Sequence, residues 1–425
     1  MQLDSCCLGT LAPARTWLPE SPGVRCPHVL PACKVTRGCK KTRCQDECDL
    51  SRLSRRILST FSGILWTRAR SASASLGRPE SKVAIPLHWE AGGFYLYYSL
   101  QGQGSNKARD NRRIYAVADT GSPFLLVARC LRKDCATYCA EVGCFEGEGQ
   151  PSADPVTFEG YASGLVEVEW RSEGEISFPE ATTKGPGVEL SSLRFGVQGR
   201  VVGFGGTGKA VFFGLIRDHK PNIQASFLEQ TPFKSLAIDL RYPGQETMEL
   251  STASTLPTFE GHTIQRVKLV DPRRWGDPVK HYAALATLRV GGKAVATKSS
   301  SGKVLVIFDT GTTGASLTAS LYDAYLRVAR QSASSGMSWS QARQIEAVFD
   351  SGEPNVVFSM YMGKHPNYGL GLDLVTPINE MTWVQESNAE RPFEDVMLLG
   401  LGFLVGTRIA VETVTSELTV VRQKE

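Results

Sequence analysis

Two copies of one short pattern, Asp119-Thr120-Gly121-Ser122 and Asp309-Thr310-Gly311-Thr312, stand 190 positions apart in this chain. Ile114-Tyr115-Ala116-Val117-Ala118 leads into the first copy and Phe124-Leu125-Leu126-Val127 leaves it, while Val304-Leu305-Val306-Ile307-Phe308 leads into the second. Each copy reads as a buried strand that breaks into a tight turn with a carboxylate at the break. Glycine lets the turn close and a partner chain approach. The neighbouring hydroxyls can donate to the Asp or accept, as its charge state requires. One such triplet is a weak signal in a chain of 425 residues. Two in the same strand-and-turn setting demand a fold of two halves.

A second repeat agrees with the first. Val211-Phe212-Phe213-Gly214 ends 95 residues after Asp119, and Val396-Met397-Leu398-Leu399-Gly400 ends 91 residues after Asp309. Each half therefore carries a turn carboxylate and, later, a buried strand closing on Gly. Two carboxylates brought together in a dry cleft cannot both ionise easily, so such a pair holds one shared proton. One member can then take a proton from water while the other gives one to a carbonyl oxygen.

The remaining chain sets limits. With 42% apolar and 21% charged residues it can build two cored domains. No apolar stretch approaches 18 residues, so no transmembrane segment is expected. The net charge of +4 hides an asymmetry: residues 1–82 carry +8 and the rest −4. That basic leader holds Cys6, Cys7, Cys26, Cys33, Cys39, Cys44 and Cys48 without the paired spacing of a zinc site. It reads as a pro-segment, a targeting region or translated sequence upstream of the true start. Arg52 to Arg56, the apolar run Ile57 to Trp66 and Ser71-Ala72-Ser73-Ala74-Ser75 imitate a signal peptide, displaced from residue 1 and interrupted by Arg68 and Arg70. The leader lacks the aromatic interleaving or recognition helix of a nucleic-acid binder, so no nucleic-acid partner is expected.

From Val83 onward short β-branched and aromatic runs alternate with Gly-containing turns, which predicts a mostly antiparallel β protein. Leu321–Arg330 and Ser340–Val348 are the predicted helices. Tyr242–Pro257, with Pro243-Gly244 and a Ser/Thr-rich run, reads as a linker between lobes 83–242 and 258–425. Cys130, Cys135, Cys139 and Cys144 fall within fifteen residues. An even number in one loop suits two disulfides in an oxidising compartment better than a metal, with three pairings open.

With the two Asp-Thr-Gly turns and the two apolar strands ending in Gly, residues 83 to 423 resemble the pepsin-like aspartic peptidases. The resemblance implies an all-β, bilobal fold with a few short helices, acting as a monomer on polypeptide substrates at acid pH, without metal or cofactor. It makes Asp119 and Asp309 the dyad, has Ser122 and Thr312 bond their outer oxygens, and has Thr120 and Thr310 cross-link the loops beside Gly121 and Gly311. The Cys130–Cys144 cluster stands where nepenthesin-like members carry a Cys-rich insertion. A hairpin over Val156–Val166 matches the family's substrate-covering flap, with Phe158 at the usual Tyr position and Tyr161 displaced. The basic leader then matches a pro-segment over an acidic cleft, and the compartment is secretory, vacuolar, lysosomal or extracellular. The rival expectation is a binding protein like the xylanase inhibitors, which keep this fold without peptidase activity.

Overall fold

The two Asp-bearing strands sit in different sheets, and a third sheet draws strands from both halves of the sequence. The computed structural model describes residues 80–423 except 103–112, 130–138, 140–142, 146–153, 162–163, 186–187, 189, 203–210, 220–223, 254–261, 351–353, 370, 379–389 and 413–415. The leader cysteines and the Arg52–Trp66 segment lie outside the described residues. Leu76–Glu425 forms one compact unit. It is all-β with a few short helices, as the short alternating runs predict.

Strand Ile114–Asp119 is buried at every position. It lies antiparallel to Gly93–Gly102 and parallel to Phe212–Gly214, which places Gly214 level with Asp119. In the other sheet Lys303–Phe308 lies between antiparallel Ala283–Val290 and parallel Phe393–Leu399, with Phe308 level with Leu399. A strand held centrally and covered on both faces reads as a continuous apolar run, which is why these two stood out in the sequence. The same order therefore holds in both halves, as the repeat of apolar strands ending in Gly requires.

The third sheet runs in the order His262–Lys268, Glu417–Gln423, Thr407–Glu412, Ser235–Asp239, Thr247–Ser251, Lys82–Pro86, Thr182–Lys184. The stretch expected to be linker thus contains a strand. Tyr242 to Gln245 does make the predicted turn, closed by Gln245 N–H to Tyr242 O at 3.0 Å, with Gly244 at φ 80°. Beyond it Met248 and Leu250 alternate inward from Thr247–Ser251, which needs only two apolar residues to cover one face.

Helix Ala319–Ser334 extends the predicted one at both ends and buries Leu321, Ala324, Tyr325, Ala329 and Ser332 along one stripe. The second expected helix is only Trp339–Arg343, capped by Ser338, and Ile345–Phe349 is a strand beside Ala283–Val290. Ile345, Ala347, Val348 and Phe349 are buried there, so sheet packing overrides a weak helical pattern. Among the described residues no helix is long and apolar enough to cross a membrane.

A buried charge network fastens the third sheet. Arg408, 2% exposed, donates to Glu249 at 2.6 Å and Asp239 at 3.4 Å, Lys82 meets Glu249 at 2.8 Å, and Arg241 meets Asp239 at 2.7 Å. Burial alone would raise both carboxyls, but hydrogen bonds and charge from Arg241 and Arg408 on Asp239, and from Arg408 and Lys82 on Glu249, hold them below their ordinary values. A lowered acid pKa stabilises the fold above the unfolded value, and that support is lost as pH falls through the folded one. Arg408→Met should cost about 3 kcal/mol in urea unfolding at pH 7, because it leaves two buried carboxylates short of a partner. The deficit should shrink on acidification as those carboxylates protonate; a deficit that is the same at pH 7 and pH 3 would refute the electrostatic account.

Candidate active site

The two turns meet through their threonines. Thr120 N–H donates to Thr310 Oγ1 at 3.1 Å and Thr310 N–H to Thr120 Oγ1 at 3.0 Å. Each hydroxyl then donates onward, Thr120 Oγ1 to Phe308 O at 2.9 Å and Thr310 Oγ1 to Ala118 O at 2.5 Å. Both threonines are 1% exposed. A side chain that must accept from one backbone group and donate to another in so little space has to be a hydroxyl. The arrangement satisfies four buried backbone groups that would otherwise face each other across the join.

Asp119 and Asp309, 4% and 7% exposed, are thereby brought side by side. Gly121 N–H donates to Asp119 Oδ1 at 2.7 Å, and Gly311 N–H to Asp309 Oδ1 at 2.8 Å. The glycines are needed for the opposite partner as well. A Cβ on Gly121 would stand 2.5 Å from Asp309 Oδ1, and one on Gly311 would stand 2.6 Å from Asp119 Oδ1. Burial, then the charge of Asp309 and a hydrogen bond to it, push the Asp119 carboxyl well above the usual carboxylate range against the opposing pull of Ser122 and Gly121. The arrangement can therefore hold a proton between two acids, one placed to donate and the other to accept.

The two halves differ at the outer oxygens. Thr312 Oγ1 donates to Asp309 Oδ2 at 2.7 Å, as expected. Ser122 stands close enough to Asp119 to favour its charged form, yet its buried hydroxyl makes no hydrogen bond of normal geometry. The downstream strands support the loops from behind. Leu215 N–H donates to Asp119 O at 2.8 Å, and Asp309 N–H to Leu399 O at 3.0 Å. Gly214 and Gly400 end those strands because a Cβ would run into Pro123 and Phe124 in the first case and the Thr312 and Gly314 carbonyls in the second.

The hairpin expected over Val156–Val166 forms. Thr157–Tyr161 pairs with Gly164–Ser177 as a hairpin, with Phe158 opposite Glu167 and Tyr161 opposite Gly164. Alternate strand residues face opposite ways. Phe158, 42% exposed, shares the outer face with exposed Val156 and Leu165. The inner face carries Thr157 and Glu159: Trp170 Nε1 donates to Thr157 Oγ1 at 2.9 Å, and Thr157 Oγ1 to Glu159 Oε1 at 2.6 Å. Trp170 in turn meets Phe124, two residues past Ser122, edge to face at 5.1 Å. The Tyr161 side chain lies outside the described residues. Thr157, Glu159 and Trp170 were missed in the sequence because only the hairpin register brings them together.

Of the four clustered cysteines, Cys139 and Cys144 form a disulfide with Cα atoms 4.9 Å apart. Cys130 and Cys135 lie outside the described residues. No family model and no curated protein matches this chain.

The raised Asp119 has a stability consequence of known sign. A folded pKa above the unfolded one stabilises at low pH, and that support is lost as pH rises through the folded value. Asp119→Asn should remove the loss, so the variant should melt above the wild type at pH 7 and approach it near pH 3. Calorimetric melts across that range check this; a variant less stable than wild type at pH 7 would contradict it.

Proposed function

We propose that this chain is an aspartic endopeptidase of the pepsin-like kind, with Asp119 and Asp309 as its dyad. The observation that carries the reading is the pair itself: two buried carboxyls, each held by its own glycine N–H, on loops cross-linked by Thr120 and Thr310. In the singly protonated pair, the ionised carboxylate takes a proton from a water as its oxygen adds to the peptide carbonyl carbon. The protonated carboxyl gives its proton to the carbonyl oxygen. The resulting tetrahedral diol collapses, one hydroxyl proton returns to the dyad, the C–N bond breaks, and the leaving nitrogen takes up a proton. One water is consumed for each bond cut, and no acyl-enzyme forms. Polypeptide substrates lie extended across the site, with backbone hydrogen bonds and alternating side-chain pockets.

The Cys139–Cys144 bridge suits a secretory, vacuolar, lysosomal or extracellular setting. The two lobes divide near the turn at Pro243-Gly244, and residues 1–82 serve as a targeting or pro-segment. A binding protein without turnover is the second reading. It is favoured by the inner flap face, which offers Thr157 to the Trp170 indole and turns Phe158 outward.

Cleavage of an unfolded protein between about pH 3 and 7 separates the two readings, since that range brackets ordinary carboxylate values. Rate should fall on both sides of an acid optimum, and pepstatin, which imitates the tetrahedral intermediate, should block it. Asp119→Asn and Asp309→Asn should each lower kcat by about 10³-fold or more. The double variant should be little worse than either, because the dyad acts as a unit. Leader-free, oxidised protein that cleaves nothing in this range would leave the binding reading ahead.

A further inference from the structure

A hairpin that precedes the first aspartate reaches the loop of the second. Strand His88–Glu90 pairs with the start of Gly93–Gly102, and a turn of Ala91 and Gly92 joins them. Both turn residues have positive φ, 48° and 91°. That geometry suits a two-residue hairpin, but alanine resists it because its Cβ disfavours the left-handed region. A backbone held against that preference needs anchors outside the turn.

The anchors lie on both sides. In the first half Tyr95 pairs with Val117, two residues before Asp119, and a Cβ on Gly93 would stand 3.7 Å from the Val117 side chain. In the second half Thr313 Oγ1 donates to Gly92 O at 2.6 Å. Gly92 is buried, so its carbonyl needs that donor. Thr313 follows Thr312, whose hydroxyl holds Asp309 Oδ2. The Thr313 backbone is fixed from behind, where Gly402 N–H donates to its carbonyl at 2.8 Å.

The base of the hairpin is gripped as well. Trp89 Nε1 donates to Tyr368 O at 2.7 Å, and the Trp89 and Phe94 rings pack on the Tyr368 ring with centroids 4.8 and 5.4 Å away. Tyr368 Oη donates to Glu246 Oε1 at 2.8 Å, and Gly244 N–H to Glu246 Oε2 at 2.9 Å. Leu87 N–H, just ahead of the hairpin, donates to Glu246 O at 2.9 Å. The hairpin is thus seated on Tyr368 at its base and on Thr313 at its tip.

Thr120 and Thr310 join the two loops at one place. A single join fixes a separation and leaves the loops able to rock about it, whereas a second tie set apart from the first removes that freedom. A shift of about 1 Å between reacting groups can cost about a hundredfold in rate.

We propose that the His88–Tyr95 hairpin is a clasp across the two halves and that Thr313 is a positioning residue: its bond to Gly92 O sets where Thr312 presents its hydroxyl to Asp309. The inference rests on the peptidase reading of the pair. Thr313 acts through Thr312, because its own hydroxyl proton is committed to Gly92.

Kinetics of the full, oxidised chain compare wild type with Thr313→Val and Thr313→Ser. Valine keeps the shape and loses the donor, so kcat should fall about tenfold or more with KM within about twofold, and serine should restore most of the rate. Unchanged kinetics, a rise in KM at constant kcat that would make Thr313 a substrate contact, or a serine variant as poor as valine each overturns the proposal. Amide hydrogen exchange of residues 309–313, read by mass spectrometry, tests the clasp without turnover and holds if Thr313→Val fails to fold. Trp89→Phe removes the indole N–H and leaves Thr313 and Gly92 in place. Exchange in 309–313 should quicken about fivefold or more, the scale of one lost hydrogen bond, while strand Ile345–Phe349 stays as it was. Unchanged exchange in 309–313, or an equal gain in Ile345–Phe349 that would mean general loosening, overturns the clasp. If the wild-type chain hydrolyses nothing, the peptidase reading fails, and the exchange result still decides the clasp.

Discussion

The mutual grip of Thr120 and Thr310 is the interaction on which the site depends. Two strands that end nose to nose in a dry interior leave amides and carbonyls with no sheet neighbour. Each threonine hydroxyl caps the opposite strand end by accepting one bond and giving another. Once that join is made, the position of each carboxylate follows from a single turn, and the absence of a glycine side chain lets the other carboxylate draw alongside. A valine in place of either threonine would keep the shape and leave buried polar groups unpaired, the more costly kind of loss.

Opposite electrostatic demands are built into neighbouring parts of the fold. The sheet that joins the halves relies on ionised Asp239 and Glu249 around Arg408, whereas the site relies on a proton retained at Asp119. Acid favours the second and erodes the first. On the peptidase reading proposed above, the working range would be bounded below by the scaffold and above by the aspartate pair, with the two bounds set by different residues.

What could be read in the sequence was what is local. Fully apolar strands before Asp119 and Asp309, strands ending at Gly214 and Gly400, and the helical stripe from Leu321 each write their burial into consecutive residues. The strand Thr247–Ser251 was hidden because two apolar residues among polar neighbours suffice for a strand with one covered face, and its partners are Lys82–Pro86 and Ser235–Asp239. The inner face of the Thr157–Tyr161 hairpin was hidden because hairpin register, rather than composition, decides whether Phe158 or Thr157 turns inward. The hydrogen-bonded pair Asp277 and His281 carries no motif: they stand four residues apart outside any helix, on a turn that Val279 N–H closes on Asp277.

The order in which the parts leave the ribosome follows from the sheet pairings. Lys82–Pro86 pairs with Thr247–Ser251, and the same sheet needs Thr407–Glu412 and Glu417–Gln423 to be filled. Phe393–Leu399, which supports the second aspartate, is likewise made late. Such distant pairings are slow to form and cannot be anticipated by a partial chain. A nascent chain therefore owns one aspartate and half a grip for most of its synthesis. Assembly itself therefore postpones the meeting of the two aspartates until Phe393–Leu399 and Thr407–Glu412 have been made and have found their partners.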